Sequence, residues 1–135
     1  HNAKYLEAFG LTHGDGWLAW KQRDRSEGCW GSTPCQTKLM VYLFGVGLID
    51  RTPSEGSMSQ YASLAAAHES VFWVDYREGP YVIFGADVFG DTDNELRYTS
   101  AESVVGTAIT PTATDTHLVW NDWRNGNWDI FIRPL

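Results

Sequence analysis

Leu118-Val-Trp-Asn-Asp-Trp-Arg-Asn-Gly-Asn-Trp-Asp-Ile-Phe-Ile132 repeats, without a gap, the pattern of Val71-Phe-Trp-Val-Asp-Tyr-Arg-Glu-Gly-Pro-Tyr-Val-Ile-Phe84. Trp73 falls on Trp120, Asp75 on Asp122, Arg77 on Arg124, Gly79 on Gly126, Ile83 on Ile130 and Phe84 on Phe131, at an offset of 47 (120 − 73, 131 − 84). Identities at one fixed offset mark an internal repeat, and a period of this length belongs to architectures built from stacked supersecondary units. A third, degenerate copy opens at Trp17-Leu-Ala-Trp20, offset by 53 (73 − 20), with Gln22 where the others have Asp and Asp24 where they have Arg.

The units read as short strands joined by tight turns. In the second, Tyr61 to Ala67 is a strand of small residues, and His68-Glu-Ser70 is a turn. Val71 to Tyr76, Tyr81 to Asp87 and Glu95 to Thr99 follow as strands, separated by Arg77-Glu-Gly-Pro80 and by an acidic turn. In the first, Leu6 to Thr12 precedes the turn His13-Gly-Asp-Gly16, and the turn after Trp20 is swollen by a cysteine loop before Lys38 to Phe44 resumes. Leu48 to Thr52 closes that unit. The third has strands near Thr107–Ala113, His117–Trp123 and Trp128–Ile132, and no fourth strand. Four short strands per unit, with Gly- and Pro-marked turns, are one blade of a β-propeller. The expected division is 1–54, 55–103 and 104–135, all β, with small first-strand residues near an axis and Trp73, Phe84 and Phe131 packed between blades.

The pattern Val-Trp-x-Asp-x-Arg-x-Gly-x-x-Asp-Ile-Phe resembles the repeat of TolB-like, WD-like bacterial β-propellers. The resemblance implies that an Arg-x-Thr element closes each blade, which Arg97-Tyr-Thr99 and Arg51-Thr52 echo. The third copy carries the fullest motif; the second has Val82 at the place of Asp129, and the first diverges. It implies a fold and not an activity, since such folds host binding modules, hydrolases and lyases alike. Three blades do not close a ring, because closed propellers use roughly four to eight. We therefore expect a larger propeller, completed by another chain or by a second copy about a twofold axis. His1-Asn-Ala-Lys-Tyr5 of a partner copy is a candidate for the missing fourth strand.

Composition bounds the function. The chain has 135 residues, a net charge of −7, 43% hydrophobic and 14% aromatic residues, and no run of Lys or Arg. It is a packed domain, and nucleic acid and anionic membrane are poor partners for it. No apolar run approaches the ~20 residues that span a bilayer. No signal peptide is read at the start, as in a mature secreted chain or a trimmed piece of one. Cys29 and Cys35 bracket Trp-Gly-Ser-Thr-Pro, a compact loop whose Cα atoms can meet the distance a disulfide requires. A disulfide points to a periplasmic or extracellular setting. Two free thiols are the other reading, and metal would need further ligands that the loop lacks.

Four groups are candidates for chemistry or binding. Asp75/Arg77 and Asp122/Arg124 share one strand face, as residues two apart do. They form either a charged ring around a central pocket or, because they recur in every good copy, a structural pair pinning the turn. The acidic turn from Asp87 to Glu95 offers oxygen ligands for Ca²⁺ without the spacing of a helical calcium loop, and reads as a solvated turn. His13, His68 and His117 occupy non-equivalent positions and read as turn residues on the face opposite the cysteine loop; no metal or cofactor is expected, and copper at His1 has no further support. The turns between second and third strands hold Arg25, Trp30, Glu78, Tyr81, Asn127 and Trp128, aromatic rings beside amides and charges that suit a glycan or peptide ligand. The expected function is a secreted, non-catalytic binding module for protein or carbohydrate. A fragment of a propeller hydrolase or lyase, with its catalytic residues in other blades, is the alternative.

Overall fold

A computed structural model describes residues 6–24, 37–53, 58–59, 62–79, 81–90, 94–99 and 110–135. Among them lie eleven β-strands and no helix. The first sheet has the order β1(Leu6–Gly14), β2(Trp17–Asp24), β3(Thr37–Leu43), β4(Gly47–Asp50). The second has β5(Ala65–Ala67), β6(Ser70–Asp75), β7(Val82–Asp87), β8(Glu95–Arg97), and the third β9(Thr112–Ala113), β10(His117–Asp122), β11(Asp129–Pro134). Every pairing is antiparallel between sequence neighbours. The backbones of neighbouring sheets come closest along the first strands, β1 against β5 and β5 against β9. Ala65-Ala-Ala67 permits that approach because its side chains end at Cβ.

The register reproduces the repeat. Trp73 pairs with Phe84, Trp120 with Phe131, and Trp20 with Met40. The closing threonines are equivalent too. Thr52 Oγ1 accepts the backbone N–H of Leu39 at 3.1 Å, and Thr99 Oγ1 accepts that of Ile83 at 2.9 Å. Leu39 and Ile83 each stand one residue before the partner of their sheet's tryptophan. Each threonine thus supplies the acceptor where its fourth strand ends. The turns recur in the same way: Gly79 and Gly126 both sit at positive φ (94° and 79°), and their N–H groups donate to Tyr76 O and Trp123 O. A side chain there would be strained, which is why glycine repeats at this offset.

Because residues alternate across a strand, each sheet presents two sides. Val71, Trp73, Val82 and Phe84 of the second sheet pack on Trp17, Ala19, Leu39, Val41 and Leu43 of the first. Phe72, Val74 and Ile83, on its other side, pack with Leu118 and Trp120 of the third. Burying each of these side chains contributes roughly 1.5–3 kcal/mol. Polar ties reinforce the junctions: Trp17 Nε1 donates to His68 O at 2.7 Å, Arg51 donates twice to Val88 O, and Arg133 donates to Tyr98 O while lying over its ring. By the same parity, Trp20, Tyr42 and Leu48 lie on the side of the first sheet turned away from the second, and Ile130 and Ile132 on the outer side of the third.

Several boundaries differ from the sequence reading. The first strand runs on to Gly14 instead of ending at Thr12, because a bulge between Phe9 and Thr12, with Gly10 at φ 66°, lets His13 and Gly14 pair with Leu18 and Trp17. The small-residue strand is confined to Ala65–Ala67 among the described residues, since the segment before it spends its polar groups elsewhere. Ser59 N donates to Val74 O, and the carbonyls of Ser59 and Ala62 accept from Lys21 Nζ. The last strand begins at Asp129 and extends to Pro134.

Lys21 is buried between the first two sheets, its ammonium also 5.1 Å from the Phe9 ring centroid. Burial lowers its pKa from 10.5 to about 8. Between those values the unfolded chain binds more protons than the folded one, so stability rises with pH across the window. Urea unfolding is expected to show stability rising by on the order of 2 kcal/mol from pH 8 to pH 10, with this component absent in Lys21→Met. An identical pH slope in both proteins would contradict the burial.

Candidate functional site

The Trp-x-Asp-x-Arg segment folds into a closed ladder. Asp75 is 0% exposed and takes three bonds: from Trp73 Nε1 (3.1 Å), Arg77 N (2.9 Å) and Arg77 Nη2 (2.6 Å). The Arg77 guanidinium also donates to Glu95 (2.6 Å) and lies over the Phe84 ring at 4.2 Å, while Trp73 stacks on Phe84 at 21°. These contacts raise the Arg77 pKa, the bond to Asp75 first and that to Glu95 after the opposing effect of burial. The third sheet repeats the ladder without its indole bond: Asp122 accepts from Arg124 N, Nε and Nη2, Arg124 lies 4.1 Å over Phe131, and Trp120 stacks on Phe131 at 17°, its buried Nε1 making no hydrogen bond among the described residues. In the first sheet Gln22 takes the aspartate's place, accepting from Trp20 Nε1 at 3.4 Å. Each carboxylate therefore pins the turn of its own hairpin.

Beyond the ladder, the tips of the second-to-third-strand hairpins display the remaining candidates. Tyr76 and Tyr81 meet edge to face at 6.3 Å, and Trp123 and Trp128 at 5.4 Å. The two pairs stand at the same offset as the repeat (123 − 76, 128 − 81), so the tip aromatics are themselves a repeated feature. Trp123 is 41% and Trp128 46% exposed. Asn125 and Asn127 both donate through Nδ2 to Asp129, at 2.9 and 2.7 Å, which turns the amides about a common carboxylate. Glu78 accepts from Arg97 at 2.6 Å, where both side chains are open to solvent. Arg25, Trp30, Cys29 and Cys35 lie outside the described residues. Tyr76 and Trp123 were not among the sequence candidates, although their offset was visible.

At the opposite ends of the second strands, the first-to-second-strand turns converge. A cleft of about 380 Å³ runs between the first strands, lined by Thr12, His13, Ala65 to Ala67 and Thr112 among others. His68, at φ 48°, stands at its edge with Nδ1 3.6 Å from Asp15 and Nε2 4.0 Å from Asp115, one carboxylate from each flanking sheet. Its backbone carbonyl is the acceptor for Trp17. Reading the histidines singly hid this grouping; the signal was that all three turns carry an imidazole or carboxylate. In the acidic turn, Asp87 accepts from Phe89 N and Glu95 is engaged by Arg77. Among the described residues no three His, Cys, Asp or Glu side chains converge to hold a metal ion.

The architecture has a counterpart among solved structures. The crystal structure of the tricorn protease superposes with a TM-score of 0.60 over 94% of this chain, at 15% sequence identity. Three strand-to-strand sheets, set side by side about their first strands, match it in fold. The fold is that of β-propeller blades. The chain spans 12% of that protein's length, so the likeness concerns the propeller alone. No family profile matches the chain, and no curated protein matches it. In propeller terms it holds two four-stranded blades and a third with three strands among the described residues, and the sheets do not close into a ring.

Proposed function

We propose that this chain is a segment of a secreted, non-catalytic β-propeller of the TolB-like type, binding protein or carbohydrate through its hairpin tips. Its ring is completed by a second copy or by another chain. The observation that carries the reading is the difference between covered and open sides. At both internal junctions an aliphatic or aromatic side of one blade is covered by the tryptophan side of the next. The outer side of the third blade exposes Ile130 (69%) and Ile132 (65%), on a strand whose far edge pairs with nothing among the described residues. The outer side of the first blade offers Trp20, Tyr42 and Leu48. Exposed apolar faces and unpaired edges associate, and a tryptophan side from another blade suits the isoleucine side. The distribution of charge, net −7 with both signs mixed at the tips, fits a neutral or mixed-charge ligand better than a polyanion.

Light scattering on the isolated chain tests this. The wild-type chain is expected to associate, and Ile130→Asp with Ile132→Asp to release monomer, because a charge on each of those side chains prevents burial. A stable, soluble wild-type monomer would overturn the completed ring.

A further inference from the structure

The tip of the third blade carries the inference furthest. We propose that Trp123, Trp128, Asn125, Asn127 and Asp129 form a carbohydrate-binding platform, a specification that rests on the binding-module reading above. Four observations select this ligand class. The two indoles meet edge to face at 76°, each keeping more than a third of its surface in solvent. Such a pair leaves a flat apolar face for the C–H side of a sugar ring. The polar groups beside them are held in place: Asn125 and Asn127 each give one Nδ2 hydrogen to Asp129, and each amide keeps a second N–H and a carbonyl oxygen, a donor and acceptor set that suits hydroxyls.

The backbone also argues against an extended peptide at this tip. Gly126 N is already bonded to Trp123 O, and β10 and β11 pair through Asp122 and Asp129, so the turn that carries the rings offers no ladder of its own; the open edge of β11 is the one that a fourth strand would take. Finally, Tyr76 and Tyr81 repeat the pair one blade away. A ligand of like units, as an oligosaccharide is, meets two like contacts.

The experiment uses the whole chain, fluorescently labelled, against an array of neutral oligosaccharides including cello-, xylo-, chito- and manno-oligomers. Hits are then titrated by tryptophan fluorescence. At least one is expected to bind, and Trp128→Ala to weaken it by roughly tenfold or more, as loss of an aromatic anchor does. Trp128→Phe should recover part of the loss. Asn127→Ala, an exposed change that leaves the ring pair in place, should weaken binding with an unchanged urea midpoint. A blank array, or hits bound by Trp123→Ala and Trp128→Ala as tightly as by the wild type, overturns the platform. A blank array together with peptides selected from a display library on the same tips overturns the carbohydrate assignment and keeps the module. A blank in both removes the module as well.

Discussion

Trp73→Ala is expected to cost about 3–5 kcal/mol of stability, the range for removing a fully buried large aromatic. Trp73 is fully buried at the junction of the first and second sheets. It stacks on Phe84, sits among Leu39, Val41 and Leu64, and its indole N–H is held by Asp75. A domain of this size has about 5–15 kcal/mol in total, so the variant is left marginal or unfolded at 37 °C. Trp20→Ala removes the equivalent residue of the first blade, where the side chain is only half-buried and faces the open side. It is expected to cost well under half as much in the isolated chain. Urea unfolding of the two variants separates the cases, and equal losses would show that the first blade's outer side is not open.

The second large effect is at Asp75. Asp75→Ala removes the acceptor for Trp73 Nε1, Arg77 N and Arg77 Nη2 and takes one carboxylate from a buried guanidinium that stays bonded to Glu95. Breaking a buried ion pair by deleting one partner costs about 3–5 kcal/mol, and the retained Glu95 contact places this variant near 3 kcal/mol. Asp75→Asn keeps the shape and one acceptor oxygen and should recover part of it. Gln22→Ala, the equivalent change in the first blade, removes one long bond and should cost about 0.5–1 kcal/mol. Were the carboxylates a ligand-binding ring, Asp75→Ala would spare stability and abolish binding. The expected result is the reverse.

Those two residues mark how far the sequence could be read. A fixed offset of identities located the blades, because the repeat had kept the residues that do the same job in each hairpin: Trp stacked on Phe, Asp closing the turn, Gly at positive φ, Thr capping the third strand. Eleven strands and their order follow from that alternation. What the sequence concealed depends on the assembled axis. Nothing in the repeat singles out Lys21, and only the meeting of two blades shows it buried on the carbonyls of Ser59 and Ala62. Trp17 stands where the other copies have Ser70 and His117, so the repeat assigns it no role. In the fold it is fully buried, because the first blade has a following neighbour to receive it. His68, Asp15 and Asp115 lie in three different units, and no spacing within one unit brings them together. The tip aromatics were half legible: Tyr81 and Trp128 stood out by composition, whereas Tyr76 and Trp123 passed as strand residues.

The central claim is that the three sheets stand side by side about their first strands instead of merging edge to edge. The Trp17 indole N–H, bonded across the first junction to the His68 carbonyl at 2.7 Å, reports on it most directly. A nuclear Overhauser spectrum of the chain is expected to link that proton to His68 and the Trp17 ring to neighbours on the second blade. Ladder contacts joining β4 to β5, or β8 to β9, as adjacent strands of one continuous sheet would contradict it.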